Sequence, residues 1–529
     1  MPSFRRITLI TRVNQAALVA RRLLSVRVSG YRRRAAVTLS VVLAALAVAA
    51  GSSALRSADG LDWQVRMASG NYSQRATLAV AALEHRFYNG TGLWHMCTGL
   101  TCNTKNRDWG SDALTYDLYL RWRLTGDRTV PPIMSTLAKT AVNWTAGQPA
   151  SSDTVMWDAI ANAREYQVTR SPVALAKAKT AFAWVDSVNA GAFGSGACPD
   201  VAYQWPGGKG GYLKTLETAT NYIKAALLLR QLTGSESYLL KAEREYQQVR
   251  RYFLERKAQL YTVYVFDNGT TCRTLPGRYF ASVNGNMIWA GTTLAAATGR
   301  KQYLNQAIAT ARGVSSRLGD ATGVYADLQA DNDVSEPLVE AMYVLASREH
   351  QAFAADWLLR AASAAGADQN AAGEFGRFFD GPPPAAEATA WQVNGGVALI
   401  EAAAALDPKG IPADPGFWQH AGFVPDAAGL HGSPLTITFT GRAIAIMGSI
   451  GEVCCVTGHA QVFVDGRQTF DRTGIWQNMT SPSVKQPDQV LFAWRWPSSG
   501  RHTITIRPGQ ADAEEGGSFF QMDGYLVVG

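Results

Sequence analysis

One turn signature recurs four times in this chain and limits its fold more than any other feature. It reads LTGDRTVPPI from Leu124, VTRSPVALAKA from Val168, LTGSESYLLKA from Leu232 and ATGRKQYLNQA from Ala297. Each copy follows an apolar stretch with three- and four-residue spacing and opens another, so each is the tight corner of two antiparallel helices. Gly126, Gly234 and Gly299 fall where a left-handed residue stops the first helix. The same periodicity predicts twelve helices, near 74–87, 109–124, 131–145, 153–169, 171–187, 215–233, 236–256, 283–298, 301–318, 335–348, 351–364 and 387–406. Paired as six hairpins, they close into an (α/α)6 barrel or stack as an open solenoid, and the irregular spacing and long insertions favour the barrel. Residues 257–282, with YTVYVFDNGTT, read as a strand hairpin.

Past the linker DPKGIPADPG the apolar period changes to two, in LTITFTGRAIAIMGSI, HAQVFVDGRQTF, QVLFAWRW, HTITIRPG and FFQMDGYLVV. Strands at that spacing predict an antiparallel β-sandwich. The fold class expected is therefore mainly α. A basic leader with an export or anchor segment occupies 1–60, the barrel 61–408 and the sandwich 409–529.

Nine arginines and no acid stand in the first 34 residues, so the formal charge of +8 belongs to the leader and the body is nearly neutral. A nucleic-acid partner has no electrostatic support. Residues 35–50 are uncharged and rich in Ala, Val and Leu, and Gly51-Ser52-Ser53-Ala54 follows them, as in an export signal. The run also suits an uncleaved membrane anchor over 35–55 with its basic end in the cytoplasm, and an Arg-rich transit peptide or an early start site are further readings. The first two readings put the protein outside the cytoplasm, secreted or at the cell surface. Cysteine usage agrees: Cys97 and Cys102 bracket one loop, and Cys198 and Cys272 sit in long loops that a disulfide would staple. The adjacent Cys454 and Cys455 suit no relaxed bridge to each other. Sequons at Asn71, Asn89, Asn143, Asn268 and Asn478 permit glycosylation. There is no His-X-X-X-His pattern, and DLQADND around Asp331 is a weak calcium-loop echo, so no metal and no cofactor are expected.

Long connections precede every even-numbered helix, so those helices start at one long-loop rim, where the cleft is expected. The rim carries Trp109 and Asp112, then Asp153, Trp157 and Asp158, then Trp205, Tyr212, Glu217 and Asn221. Asn284, Asn286, Asp333, Glu336, Trp391 and Asn394 complete it. Aromatic faces beside carboxylates and amides suit a polysaccharide, whose ring faces stack while its hydroxyls hydrogen-bond. Each residue also has a structural account: Asp153 as a first-turn acid favoured by the helix dipole, the tryptophans as core.

Residues 70–406 resemble glycoside hydrolase family 76, the (α/α)6 enzymes that cleave α-1,6-mannan. The resemblance lies in WGSDALTYDLYLRWRLTGD, SSDTVMWDAIANAREYQVT, ETATNYIKAALLLRQLTG, VNGNMIWAGTTLAAATG and the segment from Gly376 to Leu406. It implies two successive aspartates at the start of helix four, a nucleophile and then a general acid/base. Here that stretch reads Ser152-Asp153-Thr154-Val155-Met156-Trp157, so one carboxylate is missing. Aligned on Trp157, Asp153 is the acid/base; shifted by one, it is the nucleophile. Glu217-Thr218 replaces the family's Lys-Asn, while Asn221 and Asn284 match. The sandwich resembles galactose-binding-like modules of secreted glycosidases through TGRAIAIMG, QVFVDGR and SGRHTITI, and a purely structural domain is the other reading.

Glycoside hydrolysis needs two carboxyl groups, roughly 5–5.5 Å apart for retention or 6.5–9.5 Å for inversion. Asp158 is turned about 140° from Asp153 on the helix, which leaves Asp112, Glu217 or Glu336 as partners from other helices. The expected function is a secreted or surface-anchored glycoside hydrolase on an α-mannan-like polysaccharide, with Asp153 as general acid/base. Trp109, Trp157, Asp158, Trp205, Tyr212, Asn221, Asn284, Asn286 and Trp391 are the expected substrate contacts. The alternative is a catalytically inactive glycan-binding surface protein. A polysaccharide lyase has least support, since none of the seven histidines sits in a base-and-tyrosine arrangement.

Overall fold

Twelve α-helices run through the described residues in the order the periodicity predicts. They are α1 Tyr72–Ala82, α2 Trp109–Thr125, α3 Val130–Thr140, α4 Ser152–Thr169, α5 Pro172–Val188, α6 Leu216–Thr233, α7 Glu236–Phe253, α8 Ala281–Thr298, α9 Lys301–Arg317, α10 Glu336–Ser347, α11 Ala352–Ala367 and α12 Ala390–Leu406. The computed structural model describes residues 65–88, 90, 92, 94–95, 109–140, 152–188, 197–198, 203–206, 212–326, 335–384, 390–431, 433–450, 459–469, 475–476, 486–508 and 519–529. The leader, the Cys97 and Cys102 loop, Asp331, Asp333 and the Cys454-Cys455 pair lie outside them. For Trp109, Trp205, Tyr212 and Trp391 the backbone alone is described.

Three corners end on left-handed glycines, Gly126 at φ 70°, Gly234 at φ 75° and Gly299 at φ 71°, whose N–H groups return to the carbonyls of Trp122, Arg230 and Ala295. The corner at Arg170 reaches the same region without glycine, at φ 60°, and a fifth corner, between α10 and α11, turns at His350 with φ 52°. That corner lacks the Thr-Gly signature.

The even-numbered helices form the inner ring. Each packs on the next, from α2 through α4, α6, α8 and α10 to α12, and α12 closes on α2. Closure excludes the open solenoid. The inner helices are buried almost all round, whereas outer α7 buries one stripe, Leu239, Ala242, Tyr246, Val249 and Phe253. Inside the ring Glu340 of α10 pairs with Arg164 of α4 at 2.6 Å and Lys224 of α6 at 2.9 Å. Arg164 also lies over the Tyr119 ring, 4.0 Å from its centre. This buried network fills the lumen and gives the cleft a floor.

On the long-loop side, β1 Tyr203–Pro206, β2 Tyr212–Thr215, β5 Tyr264–Asp267 and β6 Cys272–Thr274 make an antiparallel sheet in the order β1-β2-β5-β6. A small hairpin, β3 Leu254–Glu255 with β4 Leu260–Tyr261, lies beside it in sequence. The YTVYVFDNGTT run supplies β4, β5 and the turn into β6. Lys214 on β2 pairs with Asp267 on β5 at 2.8 Å, fully buried, and Cys198 is bridged to Cys272. Burial opposes ionisation of Asp267, yet Lys214 and the N–H groups of Gly269, Cys198 and Ala197 hold its pKa down to about 2.

The C-terminal strands are β7 Ala421–His431, β8 Leu435–Ile450, β9 His459–Val464, β10 Arg467–Gln468, β11 Ile475–Trp476, β12 Gln486–Pro508 and β13 Phe519–Val528, all antiparallel. The long pair β8 and β12 serves two layers, with a register break between Arg495 and Gly500. Ile437 and Phe439 from before that break meet Ile444, Ile446, Val462 and Ile504 in one core, as a sandwich requires. Strand β7 escaped the periodicity because it carries Pro425, and it lies at the sheet edge, where proline is tolerated.

The outer face of the second layer, including Ala443, Ala445, Met447 and Leu526, packs on Phe378, Phe417 and Trp418. Arg495 anchors that seam. Its guanidinium pairs with Asp368 at 2.8 Å, donates to the Asp380 carbonyl at 2.7 Å and lies 4.1 Å from the Phe417 ring centre. The described indoles of the sandwich, Trp494 and Trp496, are buried.

Gly285 sets how closely α8 approaches α10. A Cβ there would lie 2.3 Å from the Leu338 backbone nitrogen, and backbone cannot move aside as a side chain can. Gly285→Ala is expected to cost about 1–3 kcal/mol by overpacking, read as a lowered denaturant midpoint. An unchanged midpoint would contradict this packing.

Candidate active site

Most of each inner helix is enclosed, and acids at the starts of α4 and α6 mark where the helices emerge. On α6 Glu217 is the one partly exposed residue from 216 to 229, and on α4 Asp153 and Thr154 are the partly exposed pair before a buried run to Glu165. Strand β2, pinned by Lys214 and Asp267, delivers Thr215 as the N-cap of α6. Thr215 Oγ1 accepts the Glu217 N–H at 3.1 Å, and its hydroxyl donates to Glu217 Oε2 at 3.1 Å.

Asp153 is held by donors. Asn221, one turn after Glu217 on the same face of α6, gives its Nδ2–H to Asp153 Oδ1 at 3.0 Å. The side chain of Trp157, one turn along α4, donates a second bond. Asn286 of α8 orients Asn221 by donating to its Oδ1 at 2.8 Å, and Asn286 Oδ1 is itself buried without a hydrogen-bond partner among the described residues. Three inner helices thus converge on one carboxylate.

Glu217 and Asp153 interact as charges. Burial first, then the neighbouring Asp153 carboxylate, push the Glu217 pKa from 4.5 to about 8, against the Thr215 hydrogen bond. Burial raises Asp153 from 3.8 to about 6, against the pull of Asn221 and Trp157. The donors sit on Asp153, so the pair, sharing one proton near neutrality, keeps it on Glu217.

The other acids read from the sequence lie elsewhere. Glu336 is fully buried at the first position of α10, and no other described residue hydrogen-bonds its two carboxyl oxygens. Burial raises its pKa well above the carboxylate range, with Lys224 and Glu340 as its charged neighbours. Buried Asp117 of α2 feels Glu336 and Glu401, so these acids belong to the lumen. Asp112 is buried in the first turn of α2. Asp158 lies within electrostatic reach of Lys177 on outer α5, away from the Asp153 group, as its angular offset required.

Two expected sugar contacts have structural duties. Asn284 is spent on backbone: its Oδ1 accepts from Tyr261 N–H at 2.9 Å and its Nδ2 donates to the carbonyls of Tyr261 and Phe280. Trp157 is buried, so it holds Asp153 rather than offering a face. Its four-residue offset from Asp153, one helical turn, is the sequence signal from which this role could have been read. The lumen network of Arg164, Lys224 and Glu340 carried no such local signal.

The fold is that of family 76 glycoside hydrolases. The chain is similar to an α-1,6-mannanase of a Salegentibacter species, with a TM-score of 0.55 and 18% identity over 64% of this chain and 100% of that one. An inactive variant of that family 76 protein, in complex with α-1,6-mannotetrose, matches at 0.55 and 19% over the same shares. A family 76 α-mannanase of Bacteroides thetaiotaomicron matches at 0.52 and 15%, over 64% of this chain and 97% of that one. No family model and no curated protein matches the chain.

The raised pKa values make stability depend on pH. A carboxyl whose folded pKa lies above its unfolded value stabilises the fold at low pH, and that contribution is lost as pH climbs from the unfolded to the folded value. For Glu217 the window runs from 4.5 to about 8. Glu217→Gln is therefore expected to melt higher than wild type at about pH 8.5, with the gap closing toward pH 5. A gap independent of pH would contradict the coupling.

Proposed function

We propose that this chain is a secreted or cell-surface glycoside hydrolase that cleaves α-1,6-linked mannan or a closely related polysaccharide. Glu217 is the proton donor and Asp153 its ionised partner. One observation carries the reading: two electrostatically coupled carboxylates, from adjacent inner helices, at the open rim of an α-1,6-mannanase fold. The carboxylate missing at Ser152 is replaced from α6. Role assignment follows the proton, so Asp153 leaves the acid/base role first read for it and takes the nucleophile or water-activating one.

In the reaction the bond from the anomeric carbon to the bridging oxygen breaks, and that oxygen takes the Glu217 proton. Asp153 either bonds to the anomeric carbon or removes a proton from the water that does. Asn221 and Trp157 hold Asp153 in its charged form, and buried Asn286 keeps Asn221 aimed at it. The basic leader and the Cys198 to Cys272 bridge support a place outside the cytoplasm. The sandwich serves as a packed support, held through Arg495.

A second reading, glycan binding without turnover, has buried Ser152 in its favour, at a position where the family resemblance implies an aspartate. Reducing-end release from α-1,6-mannan separates the two. Wild type is expected to release oligosaccharides, and Asp153→Asn and Glu217→Gln each to fall by roughly 10²–10⁴-fold with binding retained. Turnover is expected to rise with pH as Asp153 ionises near about 6 and to fall as Glu217 loses its proton near about 8. Binding without release by wild type, on any α-mannan, would establish the second reading.

A further inference from the structure

A cavity of about 330 Å³ opens where outer helix α7 ends and the β3–β4 hairpin begins, lined by Gln247, Arg250, Arg251, Leu254, Arg256 and Gln259. Three of its six lining residues are arginines and none is acidic. Arg251 lies over the Tyr252 ring at 5.1 Å, and Arg256 lends only its carbonyl, to Gln259. Neither meets a carboxylate among the described residues. The one acid of the hairpin, Glu255, turns away, its oxygens taken by the Gly277 N–H and the Tyr279 hydroxyl. Lys257 and Arg317 add further positive charge nearby, where Arg317 donates to the Lys257 carbonyl. A helix C-terminus needs about half a charge to offset its dipole, so three guanidinium groups leave most of their charge unused.

We propose that this cavity is a binding site for a phosphoryl group carried on a sugar. Guanidinium forks match the oxygens of a phosphate in pairs, and a dianion answers several of them better than a monoanionic carboxylate does. Gln247 and Gln259 each spend one Nε2–H, on the Tyr303 hydroxyl and the Arg256 carbonyl, and keep an amide oxygen and a second N–H for sugar hydroxyls, and the volume suits one sugar unit. The site is tied to the cleft. Arg250 donates to the Tyr261 hydroxyl at 2.9 Å, and the Tyr261 backbone is bound by Asn284, two residues before Asn286 on α8. Outer helices end at the rim where inner helices begin, so one polymer can lie across both. The proposal rests on the glycan reading for the sugar and on the arginines alone for the phosphate.

Titration calorimetry of the full chain with mannose 6-phosphate, inorganic phosphate and mannose tests it. Mannose 6-phosphate is expected to bind more tightly than inorganic phosphate, to weaken with added salt and to resist displacement by mannose. The double variant Arg251→Ala with Arg256→Ala is expected to bind it at least tenfold more weakly. Both arginines are exposed, so the variant should melt as wild type does, and exposed Gln247→Leu gives a second check by weakening the sugar phosphate but not inorganic phosphate. Unchanged affinity in the double variant, or inorganic phosphate binding as tightly as the sugar phosphate, overturns the proposal. Asp153→Asn is expected to keep this binding, so a failed hydrolase reading and a failed phosphate site give different results.

Discussion

Two carboxylates that cannot both ionise freely, Asp153 and Glu217, are the constraint around which the rim is organised. Asn221 Nδ2 sits 3.0 Å from Asp153, and together with the Trp157 donor it makes Asp153 the easier of the two to charge. Glu217, one turn before Asn221, receives only the Thr215 hydroxyl among the described residues. On the proposed reading, unequal hydrogen bonding makes one of two similar acids the proton donor and the other the base.

The rest of the barrel keeps that inequality in place. A carboxylate at the mouth of a wide, wet lumen would titrate as in water, but here Arg164, Lys224 and Glu340 plug the ring beneath it. The rim sheet, locked by Lys214, Asp267 and the Cys198 bridge, fixes where α6 starts. Gly285 lets α8 close on α10, and Asn286 on that same turn orients Asn221. The phosphate pocket uses the same scaffold from its outer side, through Tyr261 and Asn284.

The helices and their inner and outer alternation were legible because apolar spacing is a local property, and so were Asp153 and Glu217 as rim acids. What stayed hidden depends on contacts between residues far apart in the chain. Arg495 meets Asp368 across the seam between sandwich and barrel, and nothing around either residue announces the other. The corner at His350, like that at Arg170 a non-glycine left-handed turn, lacks the recurring turn signature, so only the gap between the expected helices 335–348 and 351–364 marked it. Asn284 and Trp157 were placed on the correct helices but given sugar duties, since residue type alone does not distinguish an amide that binds a ligand from one that binds backbone. The carboxylate lost at Ser152 was visible in sequence, and Glu217 was one of three acids offered in its place; preferring it needed the electrostatic contact with Asp153 between α4 and α6.

The central claim is that Asp153 and Glu217 hold one proton between them near neutral pH. Carboxyl-carbon NMR titration of the full chain, labelled at aspartate and glutamate, reads this directly. Two raised steps are expected, near about 6 and about 8, with the Glu217 step moving down in Asp153→Asn because its charged neighbour is gone. Independent titration of both groups in the ordinary carboxylate range, unmoved by that substitution, would contradict the account.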